Sequence, residues 1–242
     1  MIPEPTIPTE RIPTERIVIP VDCSYPSVTW QCELPSCAVS EHEDVNEALE
    51  AALAFFMEAD RLKSVERRNR LADGTRHENT AEHSWHLGIA AMVMAQFASE
   101  PIDVSTAVAM ALVHDIVEID AGDTFAYDES EAAATKRARE EAAADRLFGL
   151  LPAQTGQRFR DLWEEYERGD TPEARFVMAV DRLAPMLLNL AEGGTTWREH
   201  SITRSQVIAR NGSHIEKSLP GAWSAALGQL ERAAGAGHVD PA

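Results

Sequence analysis

The sequence predicts an all-α fold, on three observations. From Asp44 onward apolar residues recur at spacings of three and four, the period of a helix with one buried face. Capping residues and prolines stand where such segments start and stop. Strand-like alternation of apolar and polar residues is almost absent after residue 45.

Residues 1–45 differ from everything after them. They hold Pro3, Pro5, Pro8, Pro13, Pro20, Pro26 and Pro35, and a pentapeptide that occurs twice, from Ile7 and from Ile12. Proline at this density forbids helix and favours extended chain, with a strand possible only around Ile17–Val21. Two copies of five residues are too few for a solenoid. A proline-rich extension is therefore expected over 1–45, a helical domain over 46–234 and a short tail over 235–242.

The helices follow in order. Asn46–Leu62 places Leu49, Leu53, Phe56 and Met57 on one face. Asn79, with Glu82 three residues on, forms a capping box that opens a second helix running to about Phe97. A third spans Val104–Ile119 and stops by Gly122; Val108, Ala111, Leu112 and Val113 make it apolar almost all round, so it should be buried. A fourth, Glu129–Leu150, is rich in alanine and charge, suits a solvated face or subunit contact, and is stopped by Pro152. Further helices are predicted at Gln154–Glu167, Pro172–Ala191 and Trp223–Ala234, Pro172 taking the first helical position.

Composition narrows the function. Asp plus Glu number 40 against 22 Lys plus Arg, a formal charge of −18, and 44% of residues are hydrophobic, enough for a core in one domain. No apolar run approaches the ~20 residues of a membrane helix, and no basic segment leads into an apolar one at the N-terminus. The acidic balance repels phosphate backbones. A cytoplasmic protein without membrane or nucleic-acid partners is expected, and a phosphate-bearing substrate would need a cation or a local Arg. Cys23, Cys32 and Cys37 lack the paired spacing of a zinc knuckle.

Polar residues in the apolar third helix carry the chemistry. His114 and Asp115 are adjacent and Glu118 follows, although burying unpartnered polar groups costs several kcal/mol. A lone histidine in such a helix is usually a satisfied core residue; beside a carboxylate it can instead share one divalent cation. Glu118 falls on the same side of the helix, near a cation-bound water, and Asp123 stands just past Gly122. Upstream, His83 and His86 lie one turn apart, and spacing does not choose between them. Downstream, Val177, Asp181, Ala184 and Leu188 share a face, so Asp181 points inward. Its neighbour Arg182 is a poor partner, because adjacent residues on a helix do not face each other.

His83, the pair His114-Asp115 and Asp181 resemble the H…HD…D set of HD-domain phosphohydrolases, close to the subgroup that includes bacterial 5'-deoxynucleotidases. The resemblance covers about 46–234. It rests on Leu62–Arg67, Asp73–His86, Leu112–Asp123, Leu162–Tyr166, Asp181–Leu183 and Trp197–His200. An HD dipeptide alone is weak, whereas H-D-x-x-E-x-x-x-G-D with His83 before and Asp181 after it is specific. The resemblance implies an HD-type helical bundle in which His83, His114, Asp115 and Asp181 hold one divalent ion, Mn, Co, Fe or Zn. It implies that Glu118 and Asp123 orient and activate water, and that Arg67, or its neighbour Arg68, clamps the phosphate. His86 is placed as lining or support, and His77, His200 and His214 at the surface or pocket edge. Trp197 either stacks on a base or closes the core. The absence of histidine between Ile116 and Val180 argues for a single metal. The implied reaction is hydrolysis of a (deoxy)nucleoside 5'-monophosphate. The alternatives are another small phosphoester, a nucleoside triphosphate, or a non-catalytic HD protein. A homodimer is expected, as in relatives.

Overall fold

The computed structural model describes residues 42–125, 127 and 133–242, so residues 1–41 of the proline-rich extension lie outside the described residues. Among the described residues are ten α-helices and one two-stranded sheet. None of the helices is long and apolar enough to cross a membrane.

Helix α1 runs His42–Ala59, beginning ahead of the expected Asn46, and passes into a 3-10 turn at Asp60–Ser64. Its predicted apolar face is not covered. Leu49, Leu53, Phe56 and Met57 are 55%, 54%, 72% and 66% exposed, and Phe55 is the residue that packs, edge-on to Phe159 at 5.5 Å. Periodicity identifies which residues share a face; it does not say what covers it.

A short hairpin follows that the sequence pattern did not predict. Strand β1 (Glu66–Arg70) pairs antiparallel with β2 (His77–Asn79), Glu66 opposite Asn79 and Arg70 opposite His77. The stretch of β1 between those pairs is longer than its partner, so the ladder bulges at Arg67–Asn69, and a bulge re-aims side chains. Four of the five β1 residues are charged, which hid the strand from an apolar-alternation test. The loop turns on Gly74, at φ +72°, with the Asp73 carboxylate accepting from the Thr75 amide at 3.0 Å.

Helix α2 (Thr80–Met94) opens with the expected capping box and ends in a 3-10 turn at Ala95–Phe97. The third predicted helix is interrupted. Helix α3 covers Val104–Val113 and α4 only Glu118–Ala121. Between them the Ile116, Glu118 and Ile119 amides bond three residues back, at 3.1, 3.0 and 3.2 Å, a 3-10 pattern. The cause is local: His114 Nδ1 takes the Ala111 carbonyl at 2.9 Å, the acceptor that the Asp115 amide would use in an unbroken α-helix. Leu112, expected inside, is 46% exposed.

The remaining helices are α5 (Ala133–Phe148), α6 (Ala153–Arg168), α7 (Pro172–Ala191), α8 (Thr195–Glu199), α9 (Arg204–Ser218) and α10 (Pro220–Gly235). Helix α7 has Thr171 as its cap and Pro172 in its first turn, as expected. It packs against α2, α3, α6, α9 and α10 and against β1. The larger core joins Leu87, Met110, Phe176, Val180, Trp197, Ile215 and Leu230. A second cluster, including Val113, Val117, Leu147, Phe148 and Trp163, seats α5 and α6. Helix α9 was missed because part of its buried face is small or polar, with Asn211, Gly212 and Ser218 beside Val207 and Ile215. Its Thr203–Gln206 capping box was the available signal. Gly212 lets the Trp223 ring approach closely, since a Cβ would stand 3.1 Å from it.

Candidate metal centre

Three segments far apart in sequence meet where α2, the α3–α4 junction and α7 pack together. The capping box starts α2 so that His83 falls on its inward face, 1% exposed. The 3-10 junction brings His114 and Asp115 out of α3; at three residues per turn Asp115 and Glu118 stack on one side. Asp181 comes from the middle of α7. One ligand atom from each of His83, His114 and Asp115 lies within 4.8 Å of the others. Asp181 joins them, its Oδ1 2.9 Å from His83 Nε2 and 3.9 Å from His114 Nε2.

The donor set fits a divalent cation, and one atom tests this. His114 Nε2 is buried and has no hydrogen-bond partner, although Asp115 Oδ2 is 3.1 Å away. With Nδ1 spent on the Ala111 carbonyl, the neutral tautomer turns the Nε2 lone pair into the cluster, as a ligand must. Two imidazoles and two carboxylates suit Mn, Co, Fe or Zn.

In the metal-free cluster the buried charges shift one another, and a cation would take the place of the His114 proton. Burial works to raise Asp115, but His114, Arg67 and His83 outweigh it and hold the carboxyl at about 2. Burial likewise opposes ionisation of Asp181, and the His83 hydrogen bond with the His83, His114 and Arg67 charges brings it below the usual carboxylate range. Burial works to lower His114, yet Asp115 and Asp181 pull it up to about 9. Glu118 goes the other way: burial, then the Asp115 charge, push it well above the usual range. Asp123 is also raised, by burial against the pull of Arg67.

Arg67 is drawn into this cluster from the β1 bulge. Its Nη1 donates to Asp115 Oδ2 at 3.0 Å and lies 3.8 Å from Asp123 Oδ1. Arg68 makes no side-chain ion pair among the described residues and is exposed. Both line a cavity of about 320 Å³, together with His114, Asp115, Glu118, Asp123 and Asp181. His83 sits behind that wall. His86 does not line the cavity; it is half-buried with its ring 6.3 Å from that of Trp85. His77 Nδ1 lies 3.1 Å from the Arg68 carbonyl, His214 is exposed, and His200 is exposed with its ring 4.4 Å from that of Phe125, which lines the cavity. Trp197, 2% exposed, belongs to the core while touching the cavity.

Three residues here escaped the sequence reading. Tyr166 of α6 donates its hydroxyl to Asp181 Oδ2 at 2.9 Å and lays its ring 4.8 Å from that of His114. Thr80, the first residue of α2, donates to Glu118 Oε2 at 2.9 Å. Glu78, 2% exposed, brings Oε2 to 3.6 Å from His83 Nδ1 and 3.8 Å from Arg67 Nε. All three fall in stretches that carried the resemblance, but no spacing rule links α6 to α7 or Thr80 to Glu118.

The sequence model of the family described as "HD domain" matches residues 59–223. Among solved structures, one named as a predicted metal-dependent phosphohydrolase from Magnetospirillum magnetotacticum MS-1 is 41% identical. It superposes with a TM-score of 0.77 over 81% of this chain and 98% of that one. The human 5'-deoxynucleotidase HDDC2 is 32% identical over 117 residues, 48% of this chain and 55% of the human one. The 5'-deoxynucleotidase hdd1 of Schizosaccharomyces pombe is 28% identical over 57% of this chain and 71% of its own. This chain spans about half the length of the first HDDC2 relatives it matches.

Proposed function

Because this chain belongs to the HD-domain family, we propose that it is a metal-dependent phosphohydrolase that removes phosphate from a (deoxy)nucleoside 5'-monophosphate. One observation carries the reading: four ligand-type side chains from three segments converge at a cavity that also presents a buried, high-pKa carboxyl and an arginine. That combination suits hydrolysis of a phosphoester better than mere binding.

His83, His114, Asp115 and Asp181 would hold one divalent ion, with manganese, cobalt, iron and zinc all compatible. Bound there, the ion supplies Lewis-acid chemistry, acidifying water and screening phosphate charge. The chain's own groups do the rest. Glu118, fixed by Thr80, takes the proton of the attacking water; burial and the Asp115 charge raise its pKa, which makes it a stronger base than a free carboxylate. Asp123, raised in the same sense and 3.8 Å from Arg67, helps to orient the water. Arg67 offers a guanidinium already oriented by Asp115, which suits phosphate oxygens, and Arg68 is free to add a second. As the water oxygen bonds to phosphorus, the bond from phosphorus to the 5'-oxygen breaks, and the proton passes from Glu118 to the leaving oxygen.

A homodimer fits the same chain. Val45, Leu49, Leu53, Phe56 and Met57 of α1, and Trp85, Met92 and Val93 of α2, are all more than half exposed. Apolar exposure on that scale marks a partner surface, here read as a second copy. The acidic composition and the lack of a long apolar helix among the described residues favour a cytoplasmic setting without nucleic acid.

The test is phosphate release from matched ribo- and deoxyribonucleoside 5'-mono-, di- and triphosphates with Mn²⁺ or Co²⁺, with Asp181→Ala as control. Release from monophosphates that disappears in the control supports the reading. Silence on every nucleotide by metal-loaded protein discards the substrate.

A further inference from the structure

The cavity has a second charged wall that the proposed chemistry leaves unused. Arg182 of α7 and Arg210 of α9 both line it, beside Phe125, Tyr127 and Asn211. Arg182 Nη1 donates to the Arg210 carbonyl at 3.1 Å, which brings the two residues together. The Arg210 guanidinium lies 5.6 Å from the centre of the Tyr127 ring. Among the described residues neither guanidinium has a carboxylate within ion-pair distance.

Acidic residues outnumber basic ones 40 to 22, and Arg146, Arg160, Arg175 and Arg204 all meet carboxylates on the surface, whereas Arg182 and Arg210 stand side by side on a cavity wall. Two guanidiniums left together on a cavity wall repel each other, at a cost that an anion between them would reverse. Partial burial and the Arg182 charge accordingly pull Arg210 below its ordinary pKa, and the same neighbours lower His214 one turn on. The anion in question is not the scissile phosphate of the proposed reaction. That group is served by Arg67 and the metal-site wall, which stand with Asp115 and Asp123.

We propose that Arg182 and Arg210 form a second anion-binding subsite, so that the favoured substrate is a phosphomonoester carrying a further phosphate or carboxylate on the part retained after hydrolysis. Aromatic Phe125 and Tyr127, 5.6 Å apart, give the wall an apolar surface for the ligand's body. A cavity of about 320 Å³ lies in the range of small-molecule sites. This inference deepens the phosphohydrolase reading and rests on it for the position of the first phosphate.

Two matched pairs test it. Deoxyadenosine 5'-monophosphate is compared with deoxyadenosine 3',5'-bisphosphate, and uridine 5'-monophosphate with orotidine 5'-monophosphate, which adds a carboxylate. Binding is measured by calorimetry on the full, Mn²⁺-loaded chain carrying Glu118→Ala to suppress turnover, while phosphate release is measured on the wild type. In at least one pair the doubly anionic ligand should bind on the order of tenfold tighter, the value of one charge-assisted contact. Arg182→Gln with Arg210→Gln should bring that ratio to about one. Arg182→Lys with Arg210→Lys, which keeps both charges, should retain the preference. The subsite is overturned if both pairs bind alike in the parent, or if the preference survives the double Gln variant. It is equally overturned if the Lys variant loses the preference as the Gln variant does, which would assign the effect to packing. Failure of the phosphohydrolase reading looks different: no phosphate release from any ligand, whatever the binding ratio.

Discussion

Tyr166→Phe isolates one hydrogen bond in the candidate metal centre. The hydroxyl donates to Asp181 Oδ2 at 2.9 Å, and the ring packs 4.8 Å from His114, a contact that phenylalanine keeps. Burial and the Asp181 charge push the phenol well above its usual pKa, so it stays a donor at every working pH. A hydrogen bond to an ionised group contributes ~1.5–3 kcal/mol. That figure is a ceiling for metal affinity, because the bond already exists before the cation arrives; what the cation loses is a carboxylate held in one orientation. Losses of outer partners typically weaken metal binding about 10- to 100-fold, or ~1.4–2.7 kcal/mol, and the lower end is expected because His83 still holds Asp181 Oδ1 at 2.9 Å. The assay is Mn²⁺ competition against a fluorescent chelator, with the rate constant at saturating Mn²⁺ measured in parallel. Weaker binding with a largely restored rate at saturation is the expected outcome. A dissociation constant within about twofold of wild type would refute the idea that Tyr166 positions Asp181.

The other predictions follow from the same geometry. His114→Ala, Asp115→Ala and Asp181→Ala should each lose bound metal and activity together. Glu118→Ala should keep the metal and lose about 10²- to 10⁴-fold in rate, and full turnover in that variant would remove Glu118 from the mechanism. For metal-free protein, His114 is raised from 6.5 to about 9, so its contribution to stability is complete below pH 6.5 and vanishes as pH rises through 9. Thermal melts of stripped protein should therefore fall by on the order of a few kcal/mol across that window. Metal-loaded protein, whose His114 must already be deprotonated, should not follow; parallel curves would contradict the assignment. Finally, Leu53→Glu with Phe56→Glu should convert a dimer to monomer in sedimentation, and an unchanged oligomer would move the contact elsewhere.

Much of this architecture was legible in the chain because it is specified locally. The capping box at Asn79 and Glu82 and the Thr171-Pro172 start act within one turn of backbone, and the structure starts α2 and α7 where they say. The candidate ligand types stood out too, since a His-Asp pair in an apolar helix is costly unless something compensates it. Local rules failed where another part of the molecule decides. The hairpin at Glu66–Asn79 is charged and gains its bulge from pairing, and Gly212 of α9 is buried against the Trp223 ring. The break after Val113 depends on one imidazole competing for one carbonyl.

The amino-acid order alone thus settled the all-α class, the capped starts of α2 and α7 and the kinds of side chain available for chemistry, because these depend on neighbours a few residues away. Only the tertiary structure could bring His83 to within 2.9 Å of Asp181, residues 98 apart in sequence, or set Tyr166 and Thr80 behind them. It alone left the α1 stripe uncovered and Arg182 beside Arg210. Such contacts arise from how helices pack, and packing depends on the shapes of all the surfaces at once rather than on the spacing within any one of them.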